Sequence, residues 1–190
     1  RREHRLPVVL SRQEVFQLWR PLRQLKRQLL LMTAYSAALR TSELLHLRVA
    51  DLDARQMQLR VRPVGGPGER LVPYSPTLKR LMGPYLAEND SPWLFPGESS
   101  DRPLTPCTAR NICNHAARLA KLGKSVTITM LRHSAATHLV ELGVDFRTIQ
   151  KVLGHERLST TMRYALLTHD QRRPPVQPID LLPPPESPTP

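Results

Sequence analysis

One strand–turn–strand pattern interrupts a chain whose other segments have helical spacing, and this contrast constrains the fold more than any other feature. Polar and apolar residues alternate over 58–62, a Gly-Gly-Pro-Gly turn follows at 65–68, and a second short strand pattern occupies 70–73. Alternation on both sides of a glycine-rich turn predicts a β-hairpin between Met57 and Tyr74. The chain is therefore expected to be mainly α with a small β-hairpin or sheet.

Helical patterns precede and follow this hairpin. The sequence Ser-Arg-Gln-Glu at 11–14 is a capping box, which predicts a helix start, and Pro21 limits how far that helix runs. The side chains that this helix is expected to bury are Val15, Leu18 and Trp19. Further helices are predicted over 25–39, 42–47 and 76–86, and then in short pieces broken at Gly123, Gly143 and Gly154 up to about residue 167. Asp145 and Ser159 are the predicted N-caps of the last two helices.

The distribution of proline divides the chain into one domain and two flanking segments. Residues 1–10 have the composition of a linker, residues 11–168 hold the helical and hairpin patterns, and residues 169–190 are rich in proline. Because repeated prolines prevent a helix, this last segment is predicted to be a disordered tail. The expected organisation is a linker, a domain over 11–168 and a tail.

A large positive charge limits the partners of this domain. Lys and Arg number 28 against 16 Asp and Glu, so the formal net charge is +12. Such a surface attracts polyanions, of which nucleic acid is the commonest, although a basic protein without a nucleic-acid partner fits the same charge. No apolar run approaches the roughly 18 residues that span a bilayer, and no signal-peptide core follows the first residues. A cytoplasmic protein without a membrane partner is therefore expected.

The cysteines and histidines indicate neither a metal site nor a disulfide framework. Cys107 and Cys113 have a spacing that is typical of neither, and both are expected to be small core or surface residues. None of the 7 histidines forms a compact ligand pair such as His-Glu-x-x-His. The sequence therefore predicts no metal and no cofactor.

Three segments carry the residues that suggest chemistry, and they occur in a definite order. The first is Arg-Thr-Ser-Glu-Leu at 40–44, the second begins with Leu-Arg-His at 131–133, and the third leads through Leu-Gly-His at 153–155 to Tyr164. Taken singly, an Arg beside a buried helix fits a surface salt bridge, and a Tyr late in a helix fits half-buried packing. A Gly-His pair also fits an ordinary helix end.

Together the three segments resemble the tyrosine recombinases, DNA strand-exchange enzymes of the phage-integrase type. That family carries an Arg-x-Ser-Glu-Leu box, a His-x-x-Arg-His box, and a Leu-Gly-His box with a Tyr nine residues after its His. In this chain Tyr164 follows His155 at that spacing, and the resemblance covers about residues 7–167. The fold that it implies is the catalytic domain of a tyrosine recombinase.

The resemblance implies site-specific DNA recombination or integration by transesterification. In the family, a Tyr oxygen attacks a phosphodiester and forms a 3′-phosphotyrosine and a free 5′-hydroxyl, without ATP or a metal. Carried over by position, Tyr164 is the nucleophile, Arg40 and Arg132 clamp the phosphate, His155 hydrogen-bonds a non-bridging oxygen, and Glu43 supports the first box. Guanidinium groups suit this role because they remain charged and present a planar fork to phosphate oxygens.

The implied partner is a double-stranded DNA attachment site. Candidate DNA-binding residues are Arg62, Arg70 and Lys151. Self-association into a synaptic tetramer on DNA is also implied. Relatives normally grip DNA with a preceding helical core-binding domain as well, where only a linker-like stretch is expected here. The proline-rich tail also differs from the short helix that many relatives dock into a neighbouring protomer.

The second box lacks the histidine that the family places three residues before its Arg. Thr129 occupies that position, and a Thr hydroxyl cannot accept and hold a proton near neutral pH. His133 is adjacent to Arg132, and neighbouring side chains on a helix point about 100° apart. His133 is therefore expected to face elsewhere and to be structural.

The hairpin lacks the lysine that is the family's proposed acid for the leaving 5′-oxygen. Alignment on the strand at 70–73 puts Gly65 at that position, and no Lys occurs between Lys26 and Lys79. General acid–base groups typically contribute about 10²–10⁴-fold each, so losing two could slow strand exchange while leaving DNA binding intact.

Three hypotheses follow from the sequence. The first is a working recombinase or integrase domain, such as a mobile element carries. The second is a catalytically impaired relative that acts as a DNA-binding remnant or accessory protein. The third is an unrelated helical nucleic-acid binder, because residues 145–155 also fit the start of a helix-turn-helix.

Overall fold

The structure is a computed structural model that describes residues 7–65 and 68–167. Within these ranges the chain forms eight α-helices and three strands, with two additional 3-10 turns. The helices are α1 (Arg12–Trp19), α2 (Leu25–Ser36), α3 (Thr41–Leu45), α4 (Pro76–Ala87), α5 (Pro106–Leu119), α6 (Ile128–Glu141), α7 (Phe146–Leu153) and α8 (Leu158–Met162). The strands are β1 (Leu52–Asp53), β2 (Gln58–Val61) and β3 (Arg70–Pro73), and the 3-10 turns are Val49–Asp51 and Arg163–Leu167. The predicted mainly α architecture with a small sheet is confirmed.

Local sequence signals account for most helix starts. The Ser11 hydroxyl accepts a hydrogen bond from Glu14 N–H, and the Glu14 carboxylate accepts one from Ser11 N–H, so the predicted capping box of α1 is present. Asp145 caps α7 as predicted, through a hydrogen bond of 2.9 Å from Thr148 N–H. The prediction for Ser159 was wrong, because α8 begins at Leu158 with Arg157 as its N-cap.

The second helix is shorter than its apolar pattern predicted. It ends at Ser36 rather than at residue 39, since Ala38 adopts a left-handed φ of 49° and turns the chain. The apolar pattern continues because Ala37, Ala38 and Leu39 are still buried, although they are no longer helical. This turn places residue 40 at the start of α3.

The sheet is antiparallel and has the strand order β1–β2–β3. The predicted hairpin is β2 with β3, in which Leu59 pairs with Val72 and Val61 with Arg70. The additional strand β1 has only two residues, Leu52 and Asp53, and pairs with the start of β2. Leu59, Val61 and Val72 turn their side chains into the core, so one face of the sheet is packed and the other is accessible.

The core lies around α2, which packs against α4 and α6. Eight consecutive residues of α2, from Leu29 to Ser36, are buried, and α6 is buried over most of its length. Because most of α6 is buried, its neighbours restrict the side chains that it carries, including that of residue 132. Leu10, at the end of the predicted linker, is also fully buried, and its N–H donates to Ser134 Oγ.

Several other sequence predictions concern the surface and the ends of the chain. Across the described ranges, every helix is too short or too polar to cross a bilayer. Cys113 is buried and Cys107 is exposed, and both are free thiols. The predicted proline-rich tail lies outside the described residues.

Candidate active site

Four separate parts of the chain bring the predicted site residues together. Arg40 lies at the start of α3, Arg132 lies in the first half of α6, His155 follows α7, and Tyr164 lies in the last 3-10 turn. Glu43 lies on α3, one turn after Arg40. All five belong to one connected network of hydrogen bonds, ion pairs and ring contacts.

The end of α7 positions the third segment. Gly154 adopts left-handed dihedrals (φ 62°, ψ 45°), which an ordinary side chain disfavours, and the chain reverses there. The N–H of His155 then donates to Gln150 O at 3.1 Å, which closes the helix end. A Cβ at Gly154 would lie 3.1 Å from the side chain of Arg70, which would have to shift to make room for it.

Glu43 is the anionic centre of the site. Its carboxylate accepts both guanidinium nitrogens of Arg70 at 2.7 and 2.8 Å and the guanidinium of Arg40 at 2.9 Å. It also accepts the Arg40 backbone N–H at 2.7 Å and lies 3.7 Å from the Arg132 guanidinium. Burial opposes the ionisation of Glu43, but the hydrogen bonds from Arg70 and from the Arg40 backbone outweigh it and lower its pKa to about 2. One carboxylate thus offsets the mutual repulsion of three cations.

Arg132 is buried and held by backbone carbonyls. Its two terminal nitrogens donate to Ala38 O and Leu153 O, each at 2.7 Å. Burial, and then the charge of Arg40, lower the pKa of Arg132 to about 10, which still leaves it a cation at neutral pH. The two carbonyls lie just before α3 and at the end of α7, so Arg132 fixes both segments against α6.

His155 lies between Arg132 and Thr161. Its Nε2 is 3.3 Å from Arg132 Nη2, and its Nδ1 is 2.9 Å from the buried hydroxyl of Thr161. Because the guanidinium can only donate, Nε2 accepts, and Nδ1 carries the proton that it gives to Thr161. Burial and the neighbouring arginines lower the pKa of His155 to about 4, so the ring is neutral at pH 7.

Tyr164 is almost completely buried, with 1% of its surface exposed. Its ring lies nearly parallel to that of His155, at 9° with centroids 6.4 Å apart. Its hydroxyl is 2.9 Å from Nδ1 of His133. Burial raises the pKa of the Tyr164 phenol, while Arg132 and Arg163 act against that rise.

His133 points away from Arg132, as expected, but that direction leads to Tyr164 and not out of the site. Arg132 faces Glu43 on one side of α6, and His133 faces the last 3-10 turn on the other. The expectation that His133 has only a structural role did not take this contact into account. No sequence signal placed the last turn against this side of α6.

A basic cleft of about 610 Å³ opens beside this network. Its lining includes the cationic side chains of Arg40, Arg70 and Arg157, the neutral ring of His155, and the carboxylates of Glu69 and Glu156. Arg40 is 45% exposed and presents its remaining N–H groups there. Arg132 and Tyr164 are buried and do not line the cleft, but both contact His155, which does.

The predicted DNA-binding residues have different environments. Lys151 is exposed on α7. Arg62 is half exposed and pairs with Asp51, and its Nε lies 3.8 Å from Glu69. Arg70 is only 13% exposed and uses its guanidinium on Glu43 and on Val152 O. Of these three side chains, that of Lys151 is the one without a hydrogen bond or ion pair among the described residues.

The two positions that depart from the family pattern lie on the two sides of the site. Gly65 is in the hairpin turn with a φ of 82°, and a Cβ there would meet nothing within 4 Å. Thr129 is exposed in the first turn of α6 and faces a separate hollow with Thr41 and Cys107. The lining of the basic cleft contains no lysine among the described residues.

Sequence reasoning missed Thr161 and the pairing of Arg70 with Glu43. Thr161 lies in a Ser-Thr-Thr run between His155 and Tyr164, and nothing in the sequence indicates that its hydroxyl contacts His155. Arg70 lies on β3 and Glu43 on α3, 27 residues apart, so only the tertiary fold brings the two together. Within the described ranges, no group of His, Cys, Asp and Glu side chains has an arrangement suited to a metal ion.

Comparison with known proteins adds independent information. The model of the phage integrase family matches residues 9–171. A protein of Sinorhizobium fredii named as an integrase/recombinase is 37% identical over 191 residues, covering 100% of this chain and 62% of that protein. The tyrosine recombinase XerA of Pyrococcus horikoshii is 36% identical over 181 residues, covering 93% of this chain and 63% of that protein.

Solved structures are similar to the same part of the chain. The crystal structure of XerA recombinase matches with a TM-score of 0.77 and 26% identity, covering 84% of this chain and 60% of that chain. This chain therefore spans less than two thirds of the length of the three proteins named here.

Proposed function

The chain belongs to the phage integrase family, as its sequence resemblance predicted, and on that premise we propose that it breaks and rejoins DNA strands through Tyr164. The observation that carries this proposal is the single network that joins Arg40, Arg132, His155 and Tyr164 around Glu43. We take residues 11–168 as the catalytic domain. The proposed substrate is a double-stranded DNA site, in a prokaryotic cytoplasm.

The arginines would hold the phosphodiester that is cleaved. Arg40 can approach a phosphate from the cleft, because nearly half of its side chain is open there. Arg132 would hydrogen-bond the same phosphate from the buried side of the site, through Nη2, the nitrogen that contacts His155 in this structure. Arg132 is buried, and a guanidinium in such a setting stabilises the additional negative charge of a five-coordinate phosphorus much more than it would in water.

His155 would donate a hydrogen bond to a non-bridging phosphate oxygen. At present its Nε2 accepts from Arg132, so the donation requires the proton to be on Nε2 instead of on Nδ1. The hydroxyl of Thr161 can donate as well as accept, and it therefore satisfies Nδ1 in either state. Thr161 is in this way a positioning residue for His155.

The reaction itself is a transesterification at phosphorus. The Tyr164 hydroxyl loses its proton, its oxygen forms a bond to phosphorus, and the bond from phosphorus to the 5′-oxygen breaks. The 5′-oxygen takes up a proton and leaves as a hydroxyl, and the 3′-phosphate stays on the tyrosine. Attack by a 5′-hydroxyl from another strand reverses these steps and joins the new pair, so bond energy is conserved.

The surroundings of the cleft suit a DNA backbone. Arg157 lines it, and Lys151 is exposed in the last turn of α7, just before the cleft residues Gly154 and His155. The net charge of +12 acts in the same direction. Binding of a second copy in a tetrameric synapse is part of the same proposal.

A second candidate function is DNA binding without efficient cleavage. The observation that favours it is that Gly65 and Thr129 stand where the family has a proton donor and a proton acceptor. On this alternative the arginines bind the backbone, but the phenol and the leaving oxygen exchange protons only with water.

A covalent trap distinguishes the two functions. The protein is incubated with a DNA duplex that is nicked a few nucleotides from the scissile phosphate. After cleavage, the short fragment that carries the new 5′-hydroxyl diffuses away, so the reverse reaction is prevented and the adduct accumulates. A tyrosine recombinase gives a slower-migrating phosphotyrosyl adduct on a denaturing gel, and Tyr164→Phe gives none. A band shift of the DNA without an adduct supports the second candidate function instead.

A further inference from the structure

The contact between His133 and Tyr164 has no assigned role in the reaction described above. His133 Nδ1 lies 2.9 Å from the phenolic oxygen, which is the atom that would attack phosphorus. The position where the family carries a histidine holds Thr129, which faces a different hollow. The only imidazoles that contact Tyr164 within the described residues are those of His133 and His155, and His155 contacts it through ring stacking.

We propose that His133 accepts the phenolic proton of Tyr164 when the tyrosine attacks DNA, and so replaces the proton acceptor missing at Thr129. This inference rests on the proposed function of Tyr164 as nucleophile. It makes His133 a catalytic residue, because it touches the reacting oxygen itself.

The hydrogen bond has the geometry that a proton transfer requires. A separation of 2.9 Å lies within hydrogen-bond reach of a candidate base. The last 3-10 turn packs along α6 and presents Tyr164 to His133. His133 is only half buried, so the proton can pass from its ring to solvent after each step.

The charges around His133 keep its ring neutral. Burial, and then Arg132 on the same helix and Arg163 on the 3-10 turn, lower the pKa of His133. His155 and Tyr164 are the other titratable groups that face it, from the segment after α7 and from the 3-10 turn. At neutral pH the imidazole is therefore available as an acceptor rather than already protonated.

The proton transfer balances within the transesterification. The proton moves from Tyr164 Oη to His133 Nδ1, and the freed electron pair on the oxygen forms the bond to phosphorus. The bond to the 5′-oxygen breaks, and that oxygen takes a proton from water. The imidazolium then returns its proton to solvent, so no metal or oxidant takes part.

This role predicts a particular pH dependence. If neutral His133 is the proton acceptor, the cleavage rate does not depend on pH above the pKa of His133. Because that pKa is lowered, we expect a constant rate from pH 7 to 9. Without the acceptor, the phenol must ionise by itself, and its pKa is raised by burial. The rate of His133→Asn is then expected to rise about tenfold per pH unit over this window, and to be about 10²–10⁴-fold lower at pH 7.

The first experiment measures adduct formation on the nicked duplex from pH 7 to 9. His133→Asn is compared with His115→Asn, which changes a half-buried histidine on α5 in the same way and is expected to retain the flat profile. Thermal unfolding and a band shift establish that His133→Asn folds and binds DNA. A flat profile in His133→Asn would overturn the proposal, because loss of a merely structural side chain does not change the slope.

Two further measurements use the chemistry of the substrate and of the ring. Imidazole added to His133→Ala is expected to restore adduct formation in proportion to its neutral form. A duplex with sulfur in place of the bridging 5′-oxygen has a leaving group that needs no proton, so His133→Ala is expected to stay slow on it. Recovery of the wild-type rate on that duplex would place His133 at the leaving oxygen and overturn the proposal.

The last test does not depend on activity. In protein labelled with ¹⁵N-histidine, the His133 ring signals are assigned by their loss in His133→Asn. The expected state has the proton on Nε2 and an unprotonated Nδ1 that accepts from Tyr164; a proton on Nδ1 would contradict the proposal. Absence of an adduct in the wild-type chain refutes the proposed function of Tyr164, whereas the ring signals decide separately whether His133 can accept its proton.

Discussion

Substitution of Glu43 by glutamine is expected to destabilise the fold strongly, although the two side chains have the same shape. Glu43 is buried and lies against the guanidiniums of Arg40, Arg70 and Arg132. Removing one partner of a buried ion pair typically costs about 3–5 kcal/mol, because the remaining charge is left uncompensated. The amide NH₂ group of the glutamine would also face the guanidinium groups, which donate hydrogen bonds and cannot accept them.

The pKa of Glu43 gives an independent magnitude. Its pKa is about 2 in the folded protein, against an ordinary value of 4.5. This difference corresponds to about 3 kcal/mol of folding free energy. Because the folded pKa is the lower one, this stability is fully present above pH 4.5 and is lost as the pH falls towards 2. At pH 3 the remaining contribution is about 1 kcal/mol.

The assay is urea denaturation of the wild type and Glu43→Gln at pH 6 and at pH 3. The control is Glu69→Gln, the same change at a carboxylate whose side chain is 52% exposed and pairs with Arg60 and Arg62 at 3.6 and 3.8 Å. Exposed pairs contribute about 0–1 kcal/mol, so this control is expected to remain near the wild type. A loss below 1 kcal/mol in Glu43→Gln at pH 6, or a loss that does not shrink at pH 3, would refute the argument.

Other changes test separate parts of the structure. Tyr35→Phe removes the hydroxyl that lies 2.7 Å from His138 Nδ1 in the core, and is expected to cost about 1–3 kcal/mol in thermal unfolding without altering adduct formation. Gly154→Ala forces a left-handed conformation at a cost of about 1–2 kcal/mol and displaces Arg70, so both the melting temperature and adduct formation should fall. The logarithm of DNA affinity should fall steeply with the logarithm of salt, and Lys151→Ala should reduce that slope by about 1 if Lys151 contacts a phosphate. A flat salt dependence would remove the DNA backbone as the partner.

The sequence predicted the local elements well where their signals are local. The capping box at Ser11 and the N-cap at Asp145 are contacts between residues three apart, and both occur as predicted. The hairpin followed from alternation around a glycine turn. The prediction of Ser159 as a cap was wrong because α8 begins without a side-chain cap, one residue earlier, with Arg157 as its N-cap.

The set of candidate site residues was also visible in the sequence, because the order and spacing of its three segments are encoded along the chain. Arg40, Arg132, His155 and Tyr164 lie in one network in the structure, which supports their selection as candidates. Their roles in catalysis remain proposals that the covalent trap tests.

The order of residues along the chain predicts most of the helices and strands, and its resemblance to a family indicates which residues are candidates for the chemistry. What each of these side chains contacts follows from the packed fold: Glu43 contacts Arg70, 27 residues away in the chain, and His133 contacts Tyr164, 31 residues away. Hydrophobic periodicity and helix capping involve residues that are a few positions apart, so both can be recognised from the sequence. The partner of a side chain on α6 is defined only when the last 3-10 turn packs against that helix. Contacts between residues far apart in the chain depend on the packing of whole elements.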